Sequence, residues 1–486
     1  MKWWVLRRQV HVSWLIAVAA SGICGGIVTA QYVAPGLFAP WVWGVVAVCL
    51  IGVGLWSRWV LMVPFVLGAG VLSGLWRGGI EQQARVPYHR LDNRVVTLRA
   101  RVADDPEPDT RGGTIALRLT GVAVEGHDLP GVVRASVRTR ADIKRGDDVS
   151  IRGKVHAGFG GFAATTYDAT LLRADRPVPG DVARVVRDAF GDQIRRAIDE
   201  PMVSLGLGYL LGQRRGLPDE LAKALVAAGL THVVVASGYN LTILVRLMRR
   251  LFVRVSKYLA AVTSGAMIVG FMAVTGLSPS MSRAGLVAGL SLLAWYYGRR
   301  VHPLVLLPFA AAVTLLMQPS YGWGDVGWQL SFASFAGVMI VAPLGQRYFF
   351  GDQKPGTVRQ IIGETLSAFI VTLPILVLTF GQFSAVALIA NVLVLPFVPL
   401  AMLLVFITGL GMIVVPPLGM VVGQGVTWLL RYMIWVAESV AGWPWAQVSL
   451  QLSVVGVVVF YAALAGGCAY MWRVTRLPLR DANVVE

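Results

Sequence analysis

Charge and cysteine are both scarce in this sequence. Only 14% of the 486 residues are charged, whereas soluble domains usually reach about 25%, so an ordinary soluble protein is excluded. The three cysteines, Cys24, Cys49 and Cys468, lie far apart in apolar segments and form no CxxC pair. We interpret them as buried small hydrophobic residues rather than as a metal or redox site.

The usual sequence signatures of enzymes are also missing. The six histidines show no HxxxH or HExxH spacing, and there is no GxxxxGK[ST] nucleotide loop. Ser237 lies in VASG rather than in the GxSG of rhomboid-like intramembrane proteases, and no pair of membrane aspartates supports an aspartyl protease. We therefore expect a protein without catalytic residues that needs no metal and no cofactor.

Apolar residues make up 56% of the chain and are grouped in long runs. They predict a polytopic α-helical membrane protein with about 12 spans, including re-entrant broken helices. Basic residues at the N-terminus and in alternate connections orient it with both termini in the cytoplasm. The predicted parts are three helices at 1–76, an extracytoplasmic barrel at 77–180, an amphipathic helix at 181–200, a transmembrane domain at 201–472 and a cytoplasmic tail at 473–486.

The polar segment 77–180 carries five stretches in which apolar and polar residues alternate, separated by Gly, Pro and Asp turns. This pattern predicts a small all-β barrel of the OB type inserted between membrane helices. The predicted strands are 95–102, 114–124, 131–138, 148–155 and 167–172.

Basic residues alternate with apolar ones along these strands and so project from one side. The candidate residues for binding a polyanion, single-stranded DNA in particular, are Arg99, Arg101, Arg118, Arg134, Arg138 and Lys154. A solvated barrel face would show the same pattern, and aromatic residues that could stack on bases are limited to Phe159, Phe162 and Tyr167. The formal net charge of +17 is likewise explained in part by positive cytoplasmic loops and in part by an anionic partner.

Residues 181–199 alternate apolar positions with arginines at helical spacing, which predicts an amphipathic helix. It lies either in the outer membrane interface or against the barrel. The stretch 205–245 that follows contains apolar runs too short to span a membrane, interrupted at 212–216, 229–232 and 236–240. Backbone groups freed at membrane depth are tolerated only beside protein or a water-filled cavity, so these breaks indicate a substrate pathway. A second re-entrant segment is predicted at 383–395.

Five motifs resemble those of the ComEC-type competence proteins, in the same order. They are LGQRRGL at 211–217, HVVVASGYN at 232–240, a GxxxSxxRA pattern at 276–284, DVGWQLSF at 325–332 and ANVLxxP at 390–396. Gln213 stands where that family usually has Asp, and Asn240 where it usually has His. The resemblance implies a channel in the inner, cytoplasmic membrane that takes up single-stranded DNA during natural transformation.

The candidate residues of the DNA pathway combine a few charges with neutral donors. They are His232, Ser237, Gly238, Asn240, Arg283, Asp325 and Gln329. For Arg283 the alternative is a structural ion pair with Asp325, and for His232 and Asn240 it is a hydrogen bond to unwound backbone. Trp323 and Trp328 are either interface anchors or stacking platforms.

The expected partners are single-stranded DNA and membrane lipids, with a periplasmic DNA receptor, a cytoplasmic helicase or translocase and a separate nuclease. The nuclease is expected to be another protein, because the HxHxDH motif of the metallo-β-lactamase-like domain found in many relatives is absent here. The alternative function is a membrane transferase or flippase for an anionic lipid-linked polymer. A transferase needs a general base, and the core offers only Asp325, Glu364 and Glu438.

Overall fold

The computed structural model describes residues 10–57, 59–108, 114–139, 141–213, 216–234, 238–276, 278–298, 302–353 and 356–477. The chain divides into two compact units. The first comprises Met1–Gly180 with Val301–Gln329, and the second comprises Asp181–Arg300 with Leu330–Glu486.

Helices and strands are separated along the chain, with all long strands in one segment. The helices are α1 (Val12–Ala30), α2 (Trp41–Ser57), α3 (Val63–Arg90), α4 (Val182–Arg195), α5 (Met202–Leu211), α6 (Asp219–Ala227), α7 (Thr231–Val234), α8 (Gly238–Phe252), α9 (Lys257–Thr275), α10 (Pro279–Tyr296), α11 (Pro303–Met317), α12 (Val326–Ala336), α13 (Ala342–Phe350), α14 (Thr357–Phe380), α15 (Ala387–Val394), α16 (Val398–Val414), α17 (Pro416–Ala441) and α18 (Val454–Thr475). The strands are β1 (Val95–Val102), β2 (Glu107–Pro108), β3 (Ile115–Val124), β4 (His127–Leu129), β5 (Val133–Arg138), β6 (Asp148–Ala157), β7 (Ala164–Asp175), β8 (Gln382–Ser384) and β9 (Gln447–Ser449).

Helices α1 and α3 of the first unit pack together along a seam of glycines. A Cβ atom added at Gly26 would lie 2.1 Å from the Val71 carbonyl oxygen, and Gly22, Gly70 and Gly74 leave equally little room. Small residues let two membrane helices approach until their backbones touch, which gains van der Waals contact. The seam therefore fixes α1 against α3, the helix that leads into the barrel.

Helix α3 continues past the predicted boundary at residue 76 and ends at Arg90, so the strands begin at Val95. The apolar pattern stops where expected, but the polar extension is held by charge pairs one turn apart. Arg77 lies 3.6 Å from Glu81, and Arg85 lies 3.9 Å from the same carboxylate. Such pairs support a helix without an apolar face, which is why hydropathy alone placed its end too early.

The five predicted strands are present as β1, β3, β5, β6 and β7, and they close into a small barrel. β1 pairs with both β3 and β6 in antiparallel fashion, β6 pairs with β7, and β3 pairs with β5. β5 and β7 run parallel and complete the circle. Leu98, Leu117, Ile151 and other apolar residues fill the interior, so the alternating basic residues project outward.

The second unit is built around the short helices of the broken region. Side chains of α5 and α6 pack with those of α15, α16 and α17 in one core, and α8, α9 and α10 form a smaller cluster. The break predicted at 212–216 follows the end of α5 at Leu211. The break predicted at 229–232 lies slightly earlier, between α6 and α7, because Thr231–Val234 is helical. The prediction of a break at 236–240 is wrong for residues 238–240, because they form the first turn of α8, and residues 236 and 237 lie outside the described part of the chain. Three short helices thus replace one regular span.

Eight helices of the described chain are long and apolar enough to cross a membrane, and α2, α5 and α11 are shorter apolar helices. This makes the chain a multi-pass membrane protein, and the number of about 12 spans stays a prediction. The segment 383–395 differs from the expectation. β8 pairs with β9, and α15 runs through a 3-10 turn at Leu395–Phe397 into α16, so Ala387–Val414 forms one candidate span.

Helix α4 occupies the segment where an amphipathic helix was predicted, with its arginine side turned inward. Val182, Val185 and Val186 are 55–65% exposed, whereas Arg184 and Arg187 are both 4% exposed. On the inner side Phe190 meets Phe406 of α16 with ring centroids 5.8 Å apart. Apolar side chains face outward on a helix surrounded by lipid, so this orientation suits a helix at the membrane rather than one in water.

Candidate functional site

The barrel distributes the six predicted DNA-binding residues over two different sides. Arg99 and Arg101 lie on β1 and Lys154 on the adjacent β6. Arg118 of β3 and Arg134 of β5 are directly opposite each other on the other flank of the barrel. The sixth residue, Arg138 at the end of β5, lies opposite Thr170 of β7. The prediction of a single basic side therefore does not fit the closed barrel.

The side formed by β3 and β5 is engaged in contacts within the first unit. The Arg118 guanidinium lies 3.6 Å from the Asp104 carboxylate and 5.7 Å from the centroid of the Phe162 ring. Burial raises the pKa of Asp104 above its ordinary value, while the nearby Arg118 lowers it. This carboxylate is thus partly withdrawn from water, and Arg118 is its neutralising partner.

The connection between β6 and β7 lies directly against the turn that precedes α12. A Cβ atom at Gly160 would be 3.2 Å from the Gly324 carbonyl oxygen, and Arg85 donates to the Gly160 carbonyl at 3.4 Å. The Arg85 guanidinium also lies 4.8 Å from the Trp323 ring centroid. The aromatic candidates Phe159 and Phe162, 5.9 Å apart by ring centroids, belong to this connection.

The outer surface of β1 and β6 carries Arg99, Arg101 and Lys154, and Arg138 at the end of β5 borders the adjoining β7; all four are exposed. Arg101 forms an ion pair with Asp148 at 2.9 Å, and Arg173 forms one with Asp175. The hydrogen bond with Asp148 raises the pKa of Arg101. Tyr167, the third aromatic candidate, lies on this surface beside His156, with ring centroids 5.8 Å apart.

Asp325 lies directly before α12 and caps the N-terminus of that helix. Its Oδ1 atom accepts a hydrogen bond from the Trp328 amide at 2.6 Å, which satisfies a backbone donor of the first turn. The Trp328 indole donates to Thr314 at 3.0 Å, and the Trp323 indole donates to the Ile27 carbonyl at 2.7 Å. Within the first unit, Trp323 is therefore hydrogen-bonded to α1 and Trp328 to α11. The partly buried Gln329 is one turn after Asp325, as predicted.

The broken helices of the second unit end on side-chain hydrogen bonds. Asn240 is fully buried, and its Nδ2 atom donates to the Tyr209 carbonyl at 3.0 Å. That carbonyl belongs to the last turn of α5, where no helical amide is available to it. His232, which is exposed, hydrogen-bonds in the same way to the Gly229 backbone after α6. These two side chains thus satisfy unwound backbone, as one of the two interpretations predicted.

A third side chain of this kind was not found from the sequence. Ser384, which precedes α15, donates to the Ala227 carbonyl at the end of α6 at 2.7 Å. Its hydroxyl links the first broken stretch to the segment before α15. No spacing in the sequence indicates this bond, because the two partners are far apart along the chain.

The motif residues Gly238 and Ala284 come together where α8 begins, and Arg283 precedes Ala284 in the chain. A Cβ atom at Gly238 would lie 3.2 Å from the Ala284 side chain, so the glycine allows α8 to approach α10. Arg283 is 3% exposed in the second turn of α10. Ser237 lies outside the described residues, and Arg283 and Asp325 belong to different units, so their predicted pairing stays a prediction.

Gln213, one of the two departures from the family pattern, connects α5 to α4. Its amide nitrogen donates to Asp188 Oδ1 at 3.0 Å, and its amide oxygen accepts from Arg195 at 3.0 Å. Asp188 also accepts two hydrogen bonds from Arg187, at 3.0 and 2.9 Å. A neutral amide can donate to a carboxylate and accept from a guanidinium at once, which an aspartate at 213 could not do while ionised.

The described residues contain no group of three or more His, Cys, Asp or Glu that could hold a metal ion. What they offer is fixed positive charge on the barrel and neutral hydrogen-bonding groups around the broken helices.

Comparisons with known proteins agree with the motifs. The family model described as "Competence protein" matches residues 209–474, more than half of the chain. "ComE operon protein 3" of Bacillus subtilis (strain 168) is 28% identical over 189 residues, which cover 38% of this chain and 24% of that protein. An "Uncharacterized protein" of Aquifex aeolicus (strain VF5) is 26% identical over 197 residues, covering 39% and 44% respectively.

The matched region therefore spans less than half the length of either relative. No solved structure matches the chain. The family model begins in the last turn of α5 and ends in the last turn of α18, so it includes the breaks that follow α5 and α6. The chain belongs to the competence protein family, in its ComEC-type branch.

Proposed function

We propose that this protein is a channel of the inner membrane that passes single-stranded DNA into the cytoplasm during natural transformation. The observation that carries the proposal is the match of the competence family model over 209–474, the part of the chain in which short helices replace regular spans. Broken helices with satisfied backbone are typical of substrate pathways in membrane proteins.

The barrel is proposed to be of the OB type and to lie outside the cytoplasmic membrane. Its five long strands form an antiparallel meander of three, and the third and fifth pair in parallel to close the circle. OB folds often bind single-stranded nucleic acid. In this position the barrel would meet DNA delivered by a periplasmic receptor, and a cytoplasmic helicase or translocase would draw the strand inward.

We propose that the described chain does no chemistry on the strand. Of the core carboxylates, Asp325 accepts from the Trp328 amide and Glu364 accepts from the Gln360 amide at 2.8 Å. Both carboxylates thus have hydrogen-bond partners within the protein, which supports passage of DNA rather than the alternative of a transferase acting on an anionic lipid-linked polymer. A nuclease that degrades the other strand would then be a separate protein.

A deletion strain tests the proposal. Cells receive double-stranded DNA labelled on one strand, and label protected from external nuclease is measured in the cytoplasm. We expect the deletion to abolish protected label while DNA still binds at the cell surface, and a plasmid copy of the gene to restore it. Undiminished protected label in the deletion strain would refute the proposed function.

A further inference from the structure

The outer surface of β1, β6 and β7, together with the end of β5, carries six cations, and its acids include Asp148, Asp168 and Asp175. Two of the cations, Arg101 and Arg173, are paired with Asp148 and Asp175. The other four have no ion pair among the residues that the structure describes, and all four are exposed. They are Arg99, Arg138, Arg152 and Lys154.

The strand register places these four cations in one continuous area. Arg152 of β6 lies opposite Thr97 of β1 and Thr170 of β7, and Thr170 lies opposite Arg138. Arg99 lies two residues after Thr97 on β1, and Lys154 lies two residues after Arg152 on β6. Because β1 and β6 are antiparallel, Arg99 and Lys154 flank Arg152 on opposite sides. With strands about 4.8 Å apart and alternate residues about 6.8 Å apart, neighbouring Cα atoms of the area are within about 10 Å of each other. We call these four residues the unpaired row.

An aromatic residue borders the unpaired row. Tyr167 lies opposite Lys154 in the register of β6 and β7, and its side chain is 38% exposed. Its neighbour His156 holds a second ring 5.8 Å away. Basic groups beside an exposed ring form the combination by which proteins bind single strands, through phosphates and through stacked bases.

The opposite flank of the barrel is the one on which OB folds usually bind nucleic acid, their second and third strands. Here those strands are β3 and β5, and Arg118 on them is held by Asp104 and Phe162. The connection from β6 to β7, which usually borders the ligand, lies against Gly324. The customary surface is therefore occupied by the protein itself.

We propose that the barrel binds single-stranded DNA through the unpaired row and Tyr167, on the surface formed by β1, β6, β7 and the Arg138 end of β5, rather than on the side of β3 and β5 that carries Arg118 and Arg134. This inference rests on the proposed function and adds to it the surface and the residues. Phosphates contact the four cations, and a base stacks on Tyr167. Arg101 and Arg173 contribute little, because their charges are already neutralised by carboxylates.

The test compares double variants of equal charge in the full-length protein, reconstituted in nanodiscs of zwitterionic lipid. The probe is a fluorescent oligothymidylate, and its affinity is measured over a range of salt concentrations. The variant of the unpaired row is Arg99→Gln with Arg152→Gln, and the matched control is Arg101→Gln with Arg173→Gln. Exposed positions on intact strands are chosen so that the fold is retained, which thermal unfolding checks.

Loss of two phosphate contacts should reduce the slope of log K against log salt by about 1.4, since each single-strand contact contributes about 0.7. At 0.1 M salt this corresponds to roughly 25-fold weaker binding. The matched control should keep the slope of the unsubstituted protein. Tyr167→Ala should weaken binding by about fivefold or more without changing the slope, because stacking is not a counterion effect.

Equal losses in the two double variants would overturn the proposal, as would a loss confined to Arg118→Gln with Arg134→Gln. So would an absence of binding by the unsubstituted protein at low salt. If the unpaired row instead governs binding to vesicles containing phosphatidylglycerol while oligothymidylate binding is unchanged, the surface recognises lipid headgroups and the proposal fails. The uptake measurement in the deletion strain is separate, so a failure of the proposed function is distinguished from a failure of this surface.

Discussion

Replacement of Asn240 by leucine is expected to destabilise the second unit by removing the cap of a broken helix. The Asn240 amide nitrogen is 3.0 Å from the Tyr209 carbonyl oxygen, and the side chain is 0% exposed, so no water can replace it. An acceptor left buried without a partner costs about 1–3 kcal/mol. Leucine has a similar length and keeps the space filled.

The destabilisation is partly offset, because leucine also removes the amide oxygen of Asn240. Asn240 Oδ1 is buried and has no hydrogen bond among the described residues, and leucine removes this unsatisfied atom as well. We therefore expect a net destabilisation of about 1 kcal/mol, near the lower end of the range for a buried acceptor. This is roughly a fivefold change in the folding equilibrium.

The measurement is a reversible denaturation of the purified protein in mixed micelles, with Thr408→Val as the matched control. Thr408 is also 0% exposed, and its hydroxyl donates to the Leu404 carbonyl within the same helix at 2.9 Å. That carbonyl keeps its helical amide when the hydroxyl is removed, so the control should change stability little. Equal stability of the Asn240→Leu and Thr408→Val proteins would refute the capping role.

Three further predictions concern packing, pairing and topology. Gly26→Ala should destabilise the protein by about 1–3 kcal/mol, because the added methyl group overpacks the α1–α3 seam. Gly25→Ala is the control and should leave stability unchanged, because its added Cβ would have no heavy atom within 4 Å in the described chain. Equal melting temperatures of the two variants would contradict this prediction. If Arg283 lines the pathway, Arg283→Ala should lower DNA uptake at normal protein abundance, whereas a structural pair with Asp325 would lower abundance in either single variant and a charge swap would restore it. A cysteine at exposed Asp128 in a cysteine-free protein should react with an impermeant maleimide in intact spheroplasts, and labelling only after lysis would place the barrel in the cytoplasm.

The barrel was predictable from the sequence to within a few residues, and the reason is local. Alternating apolar positions fix which side of each strand is buried, and Gly, Pro and Asp mark the turns between strands. The pattern did not show which flank of the barrel each outward-facing residue would occupy. Arg118 and Arg99 alternate with apolar residues in the same way, yet β3 and β1 turn their outer sides toward different contacts.

The broken region shows the same division between local and distant information. Interruptions of the apolar runs located the ends of α5 and α6, because freed backbone follows from Gly and Pro positions alone. The partners of that backbone came from elsewhere in the chain: Asn240 caps Tyr209, and Ser384 caps Ala227. Hydrogen bonds between residues far apart in the chain produce no periodic pattern in the sequence.

Helix α4 was located correctly, but the direction of its faces required knowledge of the surroundings. Helical spacing shows that arginines and valines lie on opposite sides, and it gives no sign of which side is buried. The pairing of Arg187 with Asp188 and the bridge through Gln213 place the arginine side inward.

The contact of Gly160 with Gly324 has a mechanical consequence. Both glycines have positive φ angles, 55° and 110°, and they meet without an intervening side chain, so the two backbones touch directly. A side chain can change rotamer and absorb a displacement, but a backbone contact of this kind cannot. If the barrel holds DNA as proposed, a pull on the strand would load this backbone contact, which lies beside the Asp325 amide just before α12.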